Sequence, residues 1–200
     1  MVSGIIFARE LISNVDKAVK RTYWTNQEID KFFGKRSAKE IIKDGTTCYM
    51  NPCSDLNLVS SYILFINNLP HEWIIEEILP TKEFNFSRLH FILEFKEDNH
   101  FYSIDYKRNN EVYIFNGKYN GREDLQIKQT IRIQNHQINL EKSLYENINN
   151  SQLSNLLKNY SLEANLNRLK QDNYIENYER FKRIFGENFI IKQSQNPPLL

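Results

Sequence analysis

The hydrophobic positions of the chain change period twice. Through about residue 44 they recur at helical spacing: Ile5, Ile6, Leu11, Ile12, Val15 and Val19 lie three or four apart with charges between them. Thr25 followed by Glu28 reads as a capping box opening a second helix through Ile29, Phe32, Phe33, Ile41 and Ile42. Gly34 is the weak point of that helix, and Asp44-Gly45 ends it. Helical spacing resumes at Leu56, Val59, Tyr62, Ile63 and Ile66, with Pro52 just ahead and Ser54 and Asp55 in the first turn. This pattern puts Cys53 at or beside a helix N-terminus, and Asn67-Asn68-Leu69-Pro70 closes the helix.

From residue 72 the period falls to two. Strands are expected over residues 73–78, 90–95, 100–105 and 111–115, with a further one over 130–134. Short turns between successive strands predict an antiparallel meander. The chain then returns to helical spacing at Leu144, Ile148, Leu153, Leu156, Leu157, Leu162, Leu166, Leu169, Tyr174, Tyr178 and Phe181, which predicts helices over 141–192. Their many asparagines make them weak on propensity alone, so they need a surface to pack on. Residues 193–200 read as a disordered tail. No repeat or long linker divides the chain, so one domain is expected over 1–192: N-terminal helices to 44, a cysteine helix plus sheet over 45–140, then the C-terminal helices.

Composition narrows the function classes. The 26 basic and 25 acidic residues leave a net charge of +1, so nucleic acid and anionic membrane surfaces are not expected partners. Mean hydropathy is −0.59 and no run of about 18 apolar residues occurs, which excludes a membrane-spanning helix. The first ten residues lack the basic start and apolar stretch of a secretory leader. Two cysteines cannot build a disulfide framework, so a reducing, cytoplasmic setting is expected.

Three residues stand in an arrangement that could carry chemistry: Cys53 at a helix start, His90 near the start of one strand and Asp105 at the end of the next. A helix N-terminus favours thiolate over thiol. The thiolate is a nucleophile that needs an imidazole to pair with it and to protonate the leaving group, and the imidazole needs a carboxylate to fix its tautomer. If residue 90 opposes 105, Phe95 opposes His100 and a turn of four residues joins the strands, placing His90 and Asp105 side by side on one face.

These residues resemble the transglutaminase-like superfamily. Cys53-x-x-x-Asn57-x-x-x-Ser61-x-x-Leu64, running to Asn68-Leu69-Pro70, is similar to the stretch in which that family's catalytic cysteine opens a helix ending before a strand. His90-Phe-Ile-Leu-Glu94-Phe and Phe101-Tyr-Ser-Ile104-Asp105 resemble its histidine and aspartate motifs. The separations, 90 − 53 = 37 and 105 − 90 = 15, suit the family. They equally suit the arylamine N-acetyltransferases, whose cysteine stretch is similar to Cys53-Ser-Asp55-Leu-Asn57. The similarity covers about residues 46–116. Asn51 and Asn68 stand where the family usually has glycine, Ile92 replaces an aromatic, and the Arg-Gly-Gly stretch of the acetyltransferases is absent.

The resemblance implies an α+β, papain/transglutaminase-like fold in which the cysteine helix packs on an antiparallel sheet. It implies a thiol enzyme acting on a protein or peptide amide through Cys53, His90 and Asp105, with no cofactor and no metal. Hydrolysis as peptidase, amidase or deamidase is preferred to transamidation. Acyl transfer of the acetyltransferase type and an inactive protein-interaction domain are the alternatives.

Each residue also has a plainer reading. An isolated cysteine beside a helix is usually a small buried hydrophobe. His90 alone would be a satisfied sheet-edge histidine, and Asp105 alone a turn former. Cys48 is expected to be a bystander, or with Cys53 two ligands of a metal site, although the spacing fits no common zinc pattern. Tyr49 and Asn51 are loop residues or oxyanion donors beside the Cys53 backbone N–H. Glu76-Glu77 and Lys107-Arg108 read as solvated faces. Phe84, Phe86, Phe91, Phe95, Phe101 and Tyr102 read as core, or as the wall of a substrate cleft.

Overall fold

Helical signals that are local in sequence produce the elements that carry the site. In a computed structural model describing residues 3–49, 51–80, 87–97, 99–106, 112–121 and 126–149, with the single further position 167, helix α1 runs Ser3–Ala18. Ala8, Leu11, Ile12 and Val15 form its buried stripe. The expected second helix is two: α2 (Asn26–Phe32) and α3 (Ala38–Asp44). The Thr25/Glu28 capping box is present, but a second one, Ser37/Glu40, opens α3.

Gly34 lies in the break with φ of 66°, a left-handed conformation that glycine adopts without steric cost. A Cβ there would lie 2.3 Å from the Tyr145 ring, and the Tyr145 backbone N–H donates to Gly34 O. Gly34→Ala is therefore expected to destabilise the protein by about 1–3 kcal/mol, from backbone strain plus the forced displacement of Tyr145. Urea unfolding of the variant measures it, and an unchanged midpoint would contradict that packing. Gly45, also left-handed at φ 68°, ends α3 as expected.

Two short strands not anticipated from the sequence, β1 (Lys20–Thr22) and β2 (Thr46–Cys48), pair in parallel. They close the entry to α4 (Cys53–Ile66), which begins at Cys53 directly after Pro52. Every residue from Cys53 through Ser61 is buried, so the N-terminal part of this helix is surrounded on all sides rather than amphipathic, while its last turn exposes Phe65 and Ile66. Its polar residues are small or partnered. Ser60 Oγ lies 2.7 Å from Tyr106 OH, and Ser61 Oγ accepts from the Trp73 indole.

The sheet comprises β3 (His71–Ile78), β4 (Arg88–Glu97), β5 (His100–Tyr106), β6 (Val112–Asn116) and β7 (Ile127–Gln134), in the order β6-β5-β4-β3-β7. The first four strands form the expected meander. The fifth departs from it, crossing back to pair antiparallel with β3 on the far edge. The fold class is thus α+β with an antiparallel sheet. Trp73, Ile75, Phe91, Leu93, Phe95, Tyr102, Ile104 and Tyr106 pack with α1 and α4 in one core, while Ile74, Ile92 and Tyr119 form a smaller cluster from alternate positions.

Two expectations need correction. Glu76 and Glu77 are not on a solvated face; both are fully buried. Glu76 Oε1 accepts from Tyr119 OH at 2.8 Å, and Glu77 is held by Lys128 at 3.2 Å and Gln129 at 2.6 Å. The partners come from beyond the meander, so burial of the pair depended on contacts distant in sequence. The β4–β5 register also differs: Glu97 pairs with His100 and Leu93 with Ile104, a shift of two residues from the expected pairing. A two-residue connection replaces the four-residue turn, with Asn99 at φ 65°, a conformation asparagine tolerates.

Helix α5 (Leu144–Asn149) begins the C-terminal helical region. The remainder of the helices expected over 141–192, the tail over 193–200, and Phe84, Phe86, Lys107 and Arg108 lie outside the described residues. No helix among the described residues is long and apolar enough to cross a membrane.

Candidate active site

Cys53 is the first residue of α4, and its side chain lies in the main core with 4% of the residue exposed. The thiol Sγ donates to Asn51 Oδ1 at 3.4 Å, in the loop just ahead of the helix. His90 is the third residue of β4, and Asp105 the sixth of β5. The two-residue register shift keeps His90 and Asp105 on the same face, because side chains alternate with a period of two. They become diagonal rather than direct neighbours, and the His90 ring spans the diagonal: Nε2 lies 2.8 Å from Asp105 Oδ1. Asp105 is fully buried, whereas the His90 side chain keeps 13% of its surface exposed.

The electrostatics of the pair follow from that burial. Desolvation pushes the His90 imidazole down, but hydrogen bonds to Asp105 and to Cys53, with the charges of both, outweigh it. The ring is pushed up to about 10. The ring is thus bonded through Nε2 to a buried carboxylate and lies within electrostatic reach of the Cys53 sulfur.

Further groups hold this arrangement: Asp55 and Asn57, which belong to the cysteine stretch quoted from the sequence, and Arg36, Thr47 and Arg21, which were not singled out there. Arg36 is buried behind the first turn of α4, where its Nη2 donates to Asp55 Oδ2 at 2.8 Å and to Thr46 O at 3.0 Å. Thr47 Oγ1 donates to the same Asp55 oxygen at 2.9 Å. Burial raises the Asp55 carboxyl, and Arg36 and Thr47 oppose that rise. Asn57 donates from its amide to the Cys53 and Phe91 carbonyls. Arg21, on β1, is buried with its charge within reach of Asp16, Tyr106, Tyr49 and Cys53; burial lowers it and those neighbours raise it.

No local signal marks Arg36 or Arg21, since their partners are contributed by other elements. Asn57 did carry one: an asparagine amid the apolar run Leu56-Asn57-Leu58-Val59 is a polar group that must be buried.

None of the protein families, curated proteins or solved structures compared with this chain matches it.

The two cysteines belong to different apolar clusters, Cys48 with Trp24, Ile29 and Phe33, and Cys53 with the main core. Both are free thiols. Among the described residues no group of three or more His, Cys, Asp or Glu could hold a metal ion. Tyr49 is buried and stacks on Tyr23 at 4.6 Å between ring centroids, which makes it a packing residue of the β1–β2 segment.

Proposed function

We propose that the protein is a transglutaminase-like thiol enzyme with a papain-like arrangement of helix and sheet, acting on an amide bond of a protein or peptide. The observation that carries this reading is the imidazole of His90, hydrogen-bonded at 2.8 Å to a buried carboxylate and near enough to a cysteine that opens a buried helix for that sulfur to raise its proton affinity. A satisfied sheet-edge histidine needs neither partner, and a bystander cysteine has no reason to share an imidazole with an aspartate.

In this mechanism Cys53 gives its thiol proton to His90, and the thiolate attacks the amide carbonyl carbon, forming the C–S bond as the carbonyl π electrons move onto oxygen. Collapse of that oxyanion breaks the C–N bond, and the His90 imidazolium gives its proton to the leaving amine. Neutral His90 then takes a proton from water, whose oxygen attacks the thioester. Collapse of that adduct breaks the C–S bond, His90 returns its proton to the sulfur, and the carboxylic acid leaves. Asp105 keeps the ring in the tautomer that serves both steps. An amine in place of water would make the reaction a transamidation; hydrolysis is preferred because nothing among the described residues marks an amine subsite.

The test is the rate of Cys53 alkylation by iodoacetamide against pH, the labelled residue being located by mass spectrometry. Wild type is expected to label rapidly well below the ordinary thiol range of about 8.5. His90→Ala should lose that low-pH reactivity, and Cys53→Ala should remove the label. Release of p-nitrophenol from p-nitrophenyl acetate, with a burst equal to the enzyme present, should accompany it. An ordinary thiol profile in wild type would overturn the reading in favour of a binding domain on the same fold.

A further inference from the structure

Asn57 is fully buried one turn into α4, and its single amide NH₂ group makes two hydrogen bonds of 2.8 Å. One goes to the carbonyl of Cys53, the candidate nucleophile. The other goes to the carbonyl of Phe91, the residue after His90 on β4. The amide thus ties the peptide of the sulfur-bearing residue to the strand that carries the imidazole. Its Oδ1 is buried without a hydrogen-bond partner. An orphaned buried acceptor is a net cost, and a leucine of nearly the same shape would avoid it. A leucine would, however, take the donor from the buried Phe91 carbonyl, so the amide both satisfies that carbonyl and fixes the geometry between α4 and β4.

We propose that Asn57 is a positioning residue for the thiol chemistry, setting the separation between Cys53 and His90 by clamping the first turn of α4 to β4. The inference rests on the function proposed above. Both tethered carbonyls lie in the backbone at or next to the reacting side chains, so slack in the clamp moves sulfur relative to ring. Misplacement of reacting groups by about 1 Å is enough to cost on the order of 10²-fold in rate.

The same iodoacetamide profile tests this, together with urea unfolding. Asn57→Leu removes both bonds and keeps the volume. It is expected to lower the alkylation rate of Cys53 at pH 6 about 10²-fold and to move the profile toward that of an ordinary thiol, while the urea midpoint falls because the Phe91 carbonyl loses its donor, as it falls in the comparison variant. Ser61→Ala is the comparison, because it deletes a buried hydrogen bond of the same helix, from the Trp73 indole on β3, two turns beyond Cys53. It should lower the urea midpoint and leave the profile unmoved. If Asn57→Leu does not fold, Asn57→Ser keeps a donor near the Cys53 carbonyl but cannot reach Phe91 O, and the same shift in profile is expected. A wild-type profile in a folded Asn57 variant would overturn the positioning role while leaving the thiol reading intact. An ordinary profile already in wild type would remove both.

Discussion

Asp105→Asn is expected to lower turnover by about 10⁴-fold with little change in fold, the scale seen when the carboxylate of a Ser-His-Asp triad is replaced by its amide. The reason is the tautomer. His90 Nε2 faces Asp105 Oδ1 at 2.8 Å. An amide of the same shape can present its NH₂ to Nε2, making that nitrogen the acceptor and putting the ring proton on Nδ1. A ring protonated there cannot take a proton from the thiol.

The same variant has a signature independent of turnover. In wild type the His90 ring is pushed up to about 10, burial opposing and the bonds and charges of Asp105 and Cys53 prevailing. Its folded value exceeds the ordinary 6.5, so its contribution to stability is fully present below about pH 6.5 and is lost as pH rises toward 10. The stability gap between wild type and Asp105→Asn should therefore narrow between pH 6.5 and 10. Urea unfolding at pH 6, 8 and 10, with the His90 ring titration followed by NMR, measures both effects. A gap that is constant with pH, or a His90 titration unchanged in the variant, would exclude Asp105 as the group that holds the ring.

The second large effect concerns the support of the site. Arg36→Met should destabilise the protein by about 3–5 kcal/mol, because it strands the buried Asp55 carboxylate. Only 5% of the Arg36 side chain and 6% of the Asp55 side chain are exposed, so water cannot replace the lost partner. Arg36 also packs its guanidinium on Trp24, 4.9 Å from the ring centroid, and reaches Asp44 at 3.1 Å. Burial already raises the Asp55 carboxyl above its ordinary value of 3.8, and removing Arg36 takes away the largest opposing influence. A carboxyl raised in the folded state costs stability as pH rises through its ordinary value, so the deficit of Arg36→Met should be smaller near pH 4 than at pH 7. Adding Asp55→Asn to Arg36→Met should recover much of the loss, since no charge is then left unpaired. Urea unfolding of the two single variants and the double variant closes the cycle. A loss below about 1 kcal/mol for Arg36→Met would mean that the pair is solvated in the folded protein.

Much of the frame was legible along the chain, for reasons that are local. The period of Ile5 through Val19 marks α1, the Thr25/Glu28 box marks the start of α2, and Gly45 marks the end of α3. The start of α4 at Cys53 could be read because proline and first-turn residues signal a helix start within a few positions. Strands β3 to β6 were visible as alternation. The break between α2 and α3 was partly visible in Gly34, but the Ser37/Glu40 box that reopens the helix was passed over because the apolar spacing ran through it.

By itself, the sequence determined which residues could be nucleophile, base and orienting acid, and placed each of them on its element. It did so because capping, alternation and helical periodicity depend on neighbours a few residues away. Only the tertiary structure decided the rest. The diagonal of His90 and Asp105 depends on a hairpin register set by the turn, and the shift of two residues was tolerated because it preserves the face. The return of β7 to β3, the pairing of β1 with β2, the burial of Glu76 and Glu77, the Arg36–Asp55 pair and the Asn57 clamp all join residues brought together by folding. A buried polar group is stable only where a distant partner meets it, and the one-dimensional pattern of polar and apolar positions does not encode which partner that is.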